Sequence, residues 1–347
     1  MTRETVLVTG GSGFVAGHCI LALLDAGYAV RASLRSGARE AGLRAELAGA
    51  GAALDGRFET VTADLMADDG WDAAVAGCTH ILHVASPLLA AAPRDEAELL
   101  GPARDGTLRV LRAAHRAGVR RVVLTSSFAA IGYGRALRRP YDERDWTDPA
   151  APGLAAYPRS KTLAEQAAWR FVDGEGQGME LVVVNPVGIF GPLLGPDLSP
   201  SIVLVKSLLE GRPPALPQLM FGVVDVRDVA DLHLRAMRDP AAAGERFLAV
   251  AGNFMTMQEI ALALKAGLGE RARRVPTRVL PNWLVRAAAR FSAVARLAAT
   301  PELGRRKNAT SAKAMTMLGW EPRPAAEALV ATGESLFRLG LVSPPKP

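Results

Sequence analysis

Val6-Leu7-Val8-Thr9-Gly10-Gly11-Ser12-Gly13-Phe14 is the stretch on which the fold turns. A short apolar, β-branched run passes into a glycine-rich turn and then into an amphipathic pattern that predicts a helix over Phe14–Ala26. Gly10 permits the tight turn. Gly13 lets backbone N–H groups at the helix N-terminus approach a pyrophosphate, where the helix dipole favours an anion. At the position of a third glycine, used for close helix–sheet packing, the chain has Ala16, small enough to keep that packing, with Gly17 beside it. Gly10, Ser12, Gly13, Phe14 and Val15 are therefore the expected phosphate-binding set. Glycine serves any tight turn, so the weight rests on context: a strand directly before and a helix directly after.

Outward from this turn, strands are expected at Thr5–Thr9, Ala29–Leu34, Phe58–Ala63, His80–Ala85, Arg121–Ser126 and Glu180–Asn185. Helical patterns lie between them at Asp95–Ala117 and Pro158–Asp173. The strand runs are continuously apolar, as expected when both faces are covered, and the alternation predicts an α/β fold with a doubly wound parallel sheet of Rossmann type. Residues 1–186 form the expected dinucleotide-binding domain, with return elements near 221–250. Residues 187–347 are read mainly as a smaller substrate-binding lobe built from insertions. Gly188 to Pro200 reads as loop, Phe221 to Met237 as a strand-to-helix return, and Arg246 to Val250 as a further strand. A helix capped by Thr256, with Glu259 in the capping-box position, should run to Ala266. Trp283 to Ala299 reads as an apolar helix, and the Pro-rich last five residues as a frayed tail.

Composition narrows the function. Of 347 residues, 49% are hydrophobic and 22% charged, which is ordinary globular usage. No apolar run reaches the length of a membrane span, and charged Arg3 and Glu4 lead straight into the first strand rather than into a secretory signal. Cys19 and Cys78 have neither metal-like spacing nor a disulfide partner framework, so no metal site is expected and a reducing, cytoplasmic setting is. The net charge of +6 comes with basic clusters at 135–139, 271–274 and 305–307. No nucleic-acid recognition motif accompanies them, so they read as solvated surface, or as attraction for a polyanionic small molecule, rather than as a nucleic-acid site.

The second strand speaks to the cofactor. An NAD-preferring site usually places Asp or Glu at its end to hold the ribose 2′-hydroxyl. Here the strand ends Ala32-Ser33-Leu34-Arg35, with Arg39 following and no carboxylate before Glu40. A guanidinium pairs bidentately with a 2′-phosphate, a bond of about 1.5–3 kcal/mol, so Arg35 predicts NADPH. Asp64 and Leu65, after the third strand, are placed against the adenine, although an Asp there also serves as a local cap. Val84-Ala85-Ser86-Pro87 ends the fourth strand with small residues that let the backbone pass close to the cofactor.

The chemistry is concentrated in Tyr157-Pro158-Arg159-Ser160-Lys161. Tyr157 and Lys161 at i and i+4 share a helix face, and Pro158 fits the first turn. An ammonium beside a phenol is expected to lower the phenol pKa toward working pH, and a tuned tyrosine can protonate the oxygen of a carbonyl under reduction. The fifth strand ends Thr125-Ser126-Ser127, beyond the carboxyl edge where such sheets bind ligands. Ser127 is expected to hold the substrate oxygen, with Ser126 as an alternative bearer of that role.

Together these stretches resemble the extended short-chain dehydrogenase/reductases, most of all their dihydroflavonol 4-reductase and aldehyde/ketone reductase branch. The resemblance continues through Thr162-Leu163-Ala164-Glu165, Asn185-Pro186, Val224-Asp225-Val226-Arg227-Asp228-Val229-Ala230 and Leu318-Gly319-Trp320-Glu321-Pro322-Arg323. It implies Tyr157 as general acid, Lys161 as its tuner and holder of the nicotinamide ribose, and Ser127 as anchor of the carbonyl oxygen. It also implies that Pro186 and Val187 lie against the nicotinamide, with Thr125 in the cofactor set. Relatives active on cinnamoyl-CoA carry Asn-Trp-Tyr-Cys-Tyr-Gly-Lys where this chain has Ala155-Ala156-Tyr157-Pro158-Arg159-Ser160-Lys161, which argues against a coenzyme A ester. The expected substrate is a small apolar or aryl carbonyl, bounded by Ser86, Leu88, Phe128, Ile131, Phe190 and Phe221, in a monomer or homodimer. Two other readings of the same fold are an NAD-dependent nucleotide-sugar epimerase or dehydratase and a non-catalytic NADPH-sensing regulator. The first is disfavoured by Arg35, the second by the intact Tyr157/Lys161 pair.

Overall fold

The computed structural model describes residues 4–86, 97–291 and 301–345. Six strands come first: β1 (Thr5–Val8), β2 (Ala29–Leu34), β3 (Phe58–Thr62), β4 (His80–His83), β5 (Arg121–Thr125) and β6 (Glu180–Pro186). Three short strands follow, β7 (Gly188–Phe190), β8 (Met220–Phe221) and β9 (Val223–Asp225), before β10 (Arg246–Ala249). The main sheet is parallel and seven-stranded, in the order β10-β6-β5-β4-β1-β2-β3. This is the doubly wound arrangement, and the strand order reverses between β1 and β4, where a crevice opens.

The helices of this half are α1 (Phe14–Asp25), α2 (Glu40–Gly49), α3 (Trp71–Val75), α4 (Ala97–Arg116) and α5 (Ala156–Asp173). In β1, Val6 and Val8 join a core with residues of α1, while Leu7 points to the opposite face and packs with residues of α4 and α5. Burial on both faces is why the inner strands β1, β4, β5 and β6 read as largely apolar runs. Strand boundaries match expectation to within two residues.

Beyond β6 the chain adds α6 (Pro200–Leu209), α7 (Val226–Arg238), α8 (Met257–Leu268), α9 (Asn282–Ala288), α10 (Ala312–Leu318) and α11 (Ala325–Arg338). Helix α7 returns to pack on α1, and β10 extends the main sheet beside β6, Arg246 opposite Val183. Residues of α6, α8 and α11 share a second core with Phe190, Leu193 and Val223. The capping box at Thr256 and Glu259 is formed, with helix α8 running two residues past the expected Ala266. The Leu318–Arg323 motif is a clasp: Trp320 is fully buried, its indole N–H donates to Asp228 O at 2.9 Å, and Arg323 pairs with the Asp228 carboxylate.

Two expectations for this half are corrected. Gly188–Phe190 is strand, pairing in parallel with β9, rather than loop; its partner lies more than thirty residues away, so no local pattern announces it. The apolar stretch expected to be helical from Trp283 to Ala299 is helical only over Asn282–Ala288 within the described residues, with Trp283 68% and Phe291 90% exposed. Residues 292–300 lie outside the described residues. The basic clusters are largely engaged at the surface: Arg135 and Arg139 with Asp145, Arg271 with Glu334, and Arg305 and Lys307 with Glu302. Among the described residues no helix is long and apolar enough to cross a membrane.

Candidate active site

The glycine turn closes the crevice from the β1 side. Gly10 has φ +67°, and a Cβ there would stand 3.0 Å from Ala85 Cα, so the turn after β1 and the end of β4 touch backbone to backbone. Ser33 at the end of β2 ties the turn down: its carbonyl accepts from Gly11 N–H at 2.8 Å and its hydroxyl from Gly10 N–H at 3.1 Å. Gly13 N–H is spent on Gly10 O. Helix α1 begins with no side-chain cap, which leaves its first-turn N–H groups, at Phe14 and Val15, for an anion. Leu193, Leu194 and Asp197 come over from the second lobe and, with Glu46, bound a small cavity against Gly11–Phe14. Arg35 is exposed and has no ion pair among the described residues, whereas Arg39 pairs with Asp197. These features fit a dinucleotide with an additional phosphate near the end of β2.

Asp64 caps its own turn, accepting from Met66 N–H at 3.0 Å, and Leu65 is packed against α4, where a Cβ on Gly106 would meet it at 2.9 Å. Val84, Ala85 and Ser86 are half-buried at the crevice. Ala85 N–H donates to Thr9 Oγ1 at 3.0 Å. Pro186 is buried and Val187 half-buried at the end of β6, with Val187 N–H held by Ala249 O. Thr125 Oγ1 is bonded to His233 Nε2 at 2.7 Å.

At the end of β5 the two serines part company. Ser126 donates to the Glu165 carboxylate. Ser127 begins a short helical turn, accepts from Ala129 N–H at 3.1 Å, and lies near enough to the Tyr157 hydroxyl to influence its ionisation. Tyr157 is the second residue of α5, and the residue remains 44% exposed toward the open crevice. Burial of the hydroxyl pushes its pKa above the ordinary value, against the opposing influence of Ser127. The direction is the reverse of the lowering expected from Lys161, because burial dominates and the opposing group is Ser127. Burial draws the Lys161 pKa down to about 8, the Glu165 carboxylate one turn along resisting the fall.

Beneath this pair sits His83, fully buried, Nδ1 bonded to Thr9 Oγ1 at 2.8 Å and Nε2 without a partner. Burial, and then the Lys161 charge, hold its pKa down to about 3, so it is neutral. Glu165 is also fully buried in its side chain and accepts from Arg246 Nε at 2.6 Å and Asn185 Nδ2 at 2.8 Å. No local pattern marks His83 or Arg246 for a role. Glu165 has the one legible signal, since it lies four residues beyond Lys161 on the same helix face.

The expected substrate wall is rearranged. Phe190 is 1% exposed and belongs to the second lobe's core, so its side chain is committed to packing. Phe128 and Ile131 are buried in a small cluster with Tyr141, Leu248, Val250 and Phe254, against which half-buried Tyr133, Val187 and Met220 pack. Burial, then Glu302, then the nearby Tyr157 push the Tyr133 pKa up to about 12. Lys307 stands over the Tyr133 ring at 4.0 Å. Neither Tyr133 nor Lys307 was anticipated, because a tyrosine in a loop and a lysine from the distant C-terminal third share no sequence pattern. Phe221 lies half-buried on β8. Leu88, with Pro87, lies outside the described residues.

A sequence model of the NAD dependent epimerase/dehydratase family matches residues 6–250. A cinnamoyl-CoA reductase of Medicago truncatula is 37% identical over 253 residues, covering 71% of this chain and 76% of that one. A dihydroflavonol 4-reductase of Zea mays is 34% identical over 249 residues, covering 70% and 69%. The crystal structure of yeast methylglyoxal/isovaleraldehyde reductase complexed with NADPH superposes with a TM-score of 0.80 at 27% identity, covering 98% of this chain and 100% of that one.

Proposed function

Because this chain belongs to the NAD dependent epimerase/dehydratase family, and within it to the branch of dihydroflavonol-reductase-like carbonyl reductases, we propose that it reduces an aldehyde or ketone to an alcohol with NADPH. The observation that carries the reading is the placement of Ser127, just past the carboxyl end of β5, beside the Tyr157 hydroxyl, with Lys161 one turn away on the same helix.

When bound, NADPH supplies the hydride that reduces the carbonyl carbon. Gly10, Ser12, the first turn of α1 and Arg35 would hold its phosphates, Asp64 and Leu65 its adenine end, and Pro186 and Val187 its nicotinamide end. The protein's own contribution is to position the carbonyl and move a proton. Ser127 orients the carbonyl oxygen toward Tyr157. Tyr157, kept protonated by its raised pKa, donates its proton to that oxygen as negative charge develops there. Lys161, cationic below about 8, stabilises the phenolate left behind. The half-buried faces of Tyr133, Val187 and Met220 favour an apolar or aryl carbonyl.

The test is loss of reduced-nicotinamide absorbance with NADPH and with NADH, across aryl aldehydes, diketones, dihydroflavonols and cinnamoyl-CoA, beside Tyr157→Phe. NADPH consumption that is lost in the variant is the expected result. Tight NADPH binding with no carbonyl reduced would overturn the reading in favour of a non-catalytic sensor, and NAD co-purifying with the chain would favour an epimerase.

A further inference from the structure

We propose that Glu165 is a positioning residue for the reaction: one buried carboxylate that fixes the segment bearing Ser127 just past β5 and, one helical turn from Lys161, sets its charge on the same helix face as that ammonium. The proposal rests on the reductase reading for its consequence in turnover, but its geometry stands independently. Glu165 Oε2 accepts from Ser126 Oγ and from Asn185 Nδ2 at 2.8 Å; Oε1 accepts from Arg246 Nε at 2.6 Å and from Trp169 Nε1 at 3.5 Å. The side chain of Glu165 has no exposure, and that of Arg246 only 9%. A single carboxylate thus joins β5, β6 and β10 to helix α5. Asn185 Nδ2 also donates to Ser127 O at 3.2 Å, so the carboxylate reaches the Ser127 backbone through one amide.

Arg246 is itself clamped, with Nη1 donating to Glu143 O at 2.7 Å and Asp145 O at 3.0 Å and its guanidinium carbon 3.7 Å from the Trp146 ring centroid. Breaking one partner of such a buried pair leaves an uncompensated charge. Tyr157 and Glu165, each four residues from Lys161, share its face of helix α5, and neutral His83 from β4 is near enough to feel its charge. Helix α4, packed alongside α5, places Arg112 against Glu175 beyond the helix end. Glu165 is then the one opposite charge acting on Lys161 among the described residues, and Lys161 needs it because burial favours its neutral form.

The test reads Lys161 directly. Lysine labelled with carbon-13 at Cε is titrated by NMR in the full chain, the Lys161 signal being identified by its loss in Lys161→Arg. In Glu165→Gln, nearly the same shape without the charge, the Lys161 midpoint should fall by at least about half a pH unit, and the alkaline limb of kcat should move down with it. In Ser126→Ala, which removes a hydrogen bond but not the charge, the midpoint should stay. An unmoved midpoint in a folded Glu165→Gln protein overturns the proposal, whatever happens to thermal stability. Should that variant fail to fold, Glu165→Met with Arg246→Met removes both members of the buried pair, a replacement such pairs often tolerate: the Lys161 midpoint should again fall by about half a pH unit, and an unmoved midpoint overturns the proposal. The titration needs no substrate, so it survives a failure to find any reducible carbonyl, whereas Tyr157→Phe tests the reductase reading alone.

Discussion

The hydroxyl of Tyr157 is one atom on which the chemistry depends, and its removal separates binding from proton transfer. Tyr157→Phe should lower the reductive kcat at least about a hundredfold while NADPH affinity stays within a few-fold, measured by turnover and by fluorescence titration of the bound cofactor. Activity above a tenth of wild type would remove Tyr157 from the general-acid role. The pH dependence follows from its neighbour. Tyr157 stays protonated because its pKa is raised, and Lys161 loses its charge as pH climbs through about 8. The reductive kcat should therefore be level at neutral pH and fall through an alkaline limb near that value, traced by initial rates at saturating substrate. At the far end of the crevice, Arg35 has no ion pair among the described residues while Arg39 is paired with Asp197. Arg35→Glu should weaken NADPH at least tenfold more than NADH, about 1.4 kcal/mol of selectivity, and equal losses would show that Arg35 does not meet the 2′-phosphate.

At the scale of elements, the turn between β1 and α1 is the least replaceable. Gly10 combines a positive φ with backbone contact to Ala85, so Gly10→Ala faces about 1–2 kcal/mol for the left-handed conformation in addition to the steric clash. It should lower the urea midpoint and weaken NADPH binding together. By contrast, Thr256 acts at the start of α8, capping it with Glu259. Thr256→Ala should cost about 1 kcal/mol of stability with NADPH affinity unchanged, a pairing that equilibrium unfolding and a binding titration would check. The two elements also differ in legibility. The capping box is written within four residues and was readable from the sequence. The β7–β9 pair was not, because its hydrogen bonds join residues more than thirty positions apart, and a Gly- and Pro-rich stretch such as Gly188–Pro200 carries a loop's local propensities whether or not a distant strand recruits it.

Over the whole molecule, buried imidazoles link folding to acidity, most strongly the two with no exposure. His83 and His233 are fully buried, and desolvation lowers their pKa values to about 3 and about 4. Both are neutral in the fold, whereas in the unfolded chain they protonate below about 6.5. Their contribution is complete above that value and is lost as pH falls toward the folded pKa values, with a slope of about 1.4 kcal/mol per pH unit for each. His233→Gln should flatten the dependence of unfolding free energy on pH by that amount between about pH 6 and 4, measured by urea titrations at successive pH values. An unchanged slope would mean that the native imidazole already carries a proton.

What the sequence determined by itself is whatever rests on short-range pattern: the parallel strands with two buried faces, the glycine turn into α1, the Tyr157/Lys161 spacing, the missing carboxylate at the end of β2, and the capping box. Each is set by neighbours within a few residues, through backbone sterics, helix geometry or a local hydrogen bond. The tertiary structure alone decided which serine meets Tyr157, that Phe190 belongs to a core rather than a pocket, and that Tyr133 and Lys307 stand together. It also decided the direction of the Tyr157 shift. Burial and the partners of a buried charge come from segments far apart in the chain, such as Ser126, Glu165, Asn185 and Arg246. Desolvation has no local signature in sequence; it exists only once those segments have closed around the group.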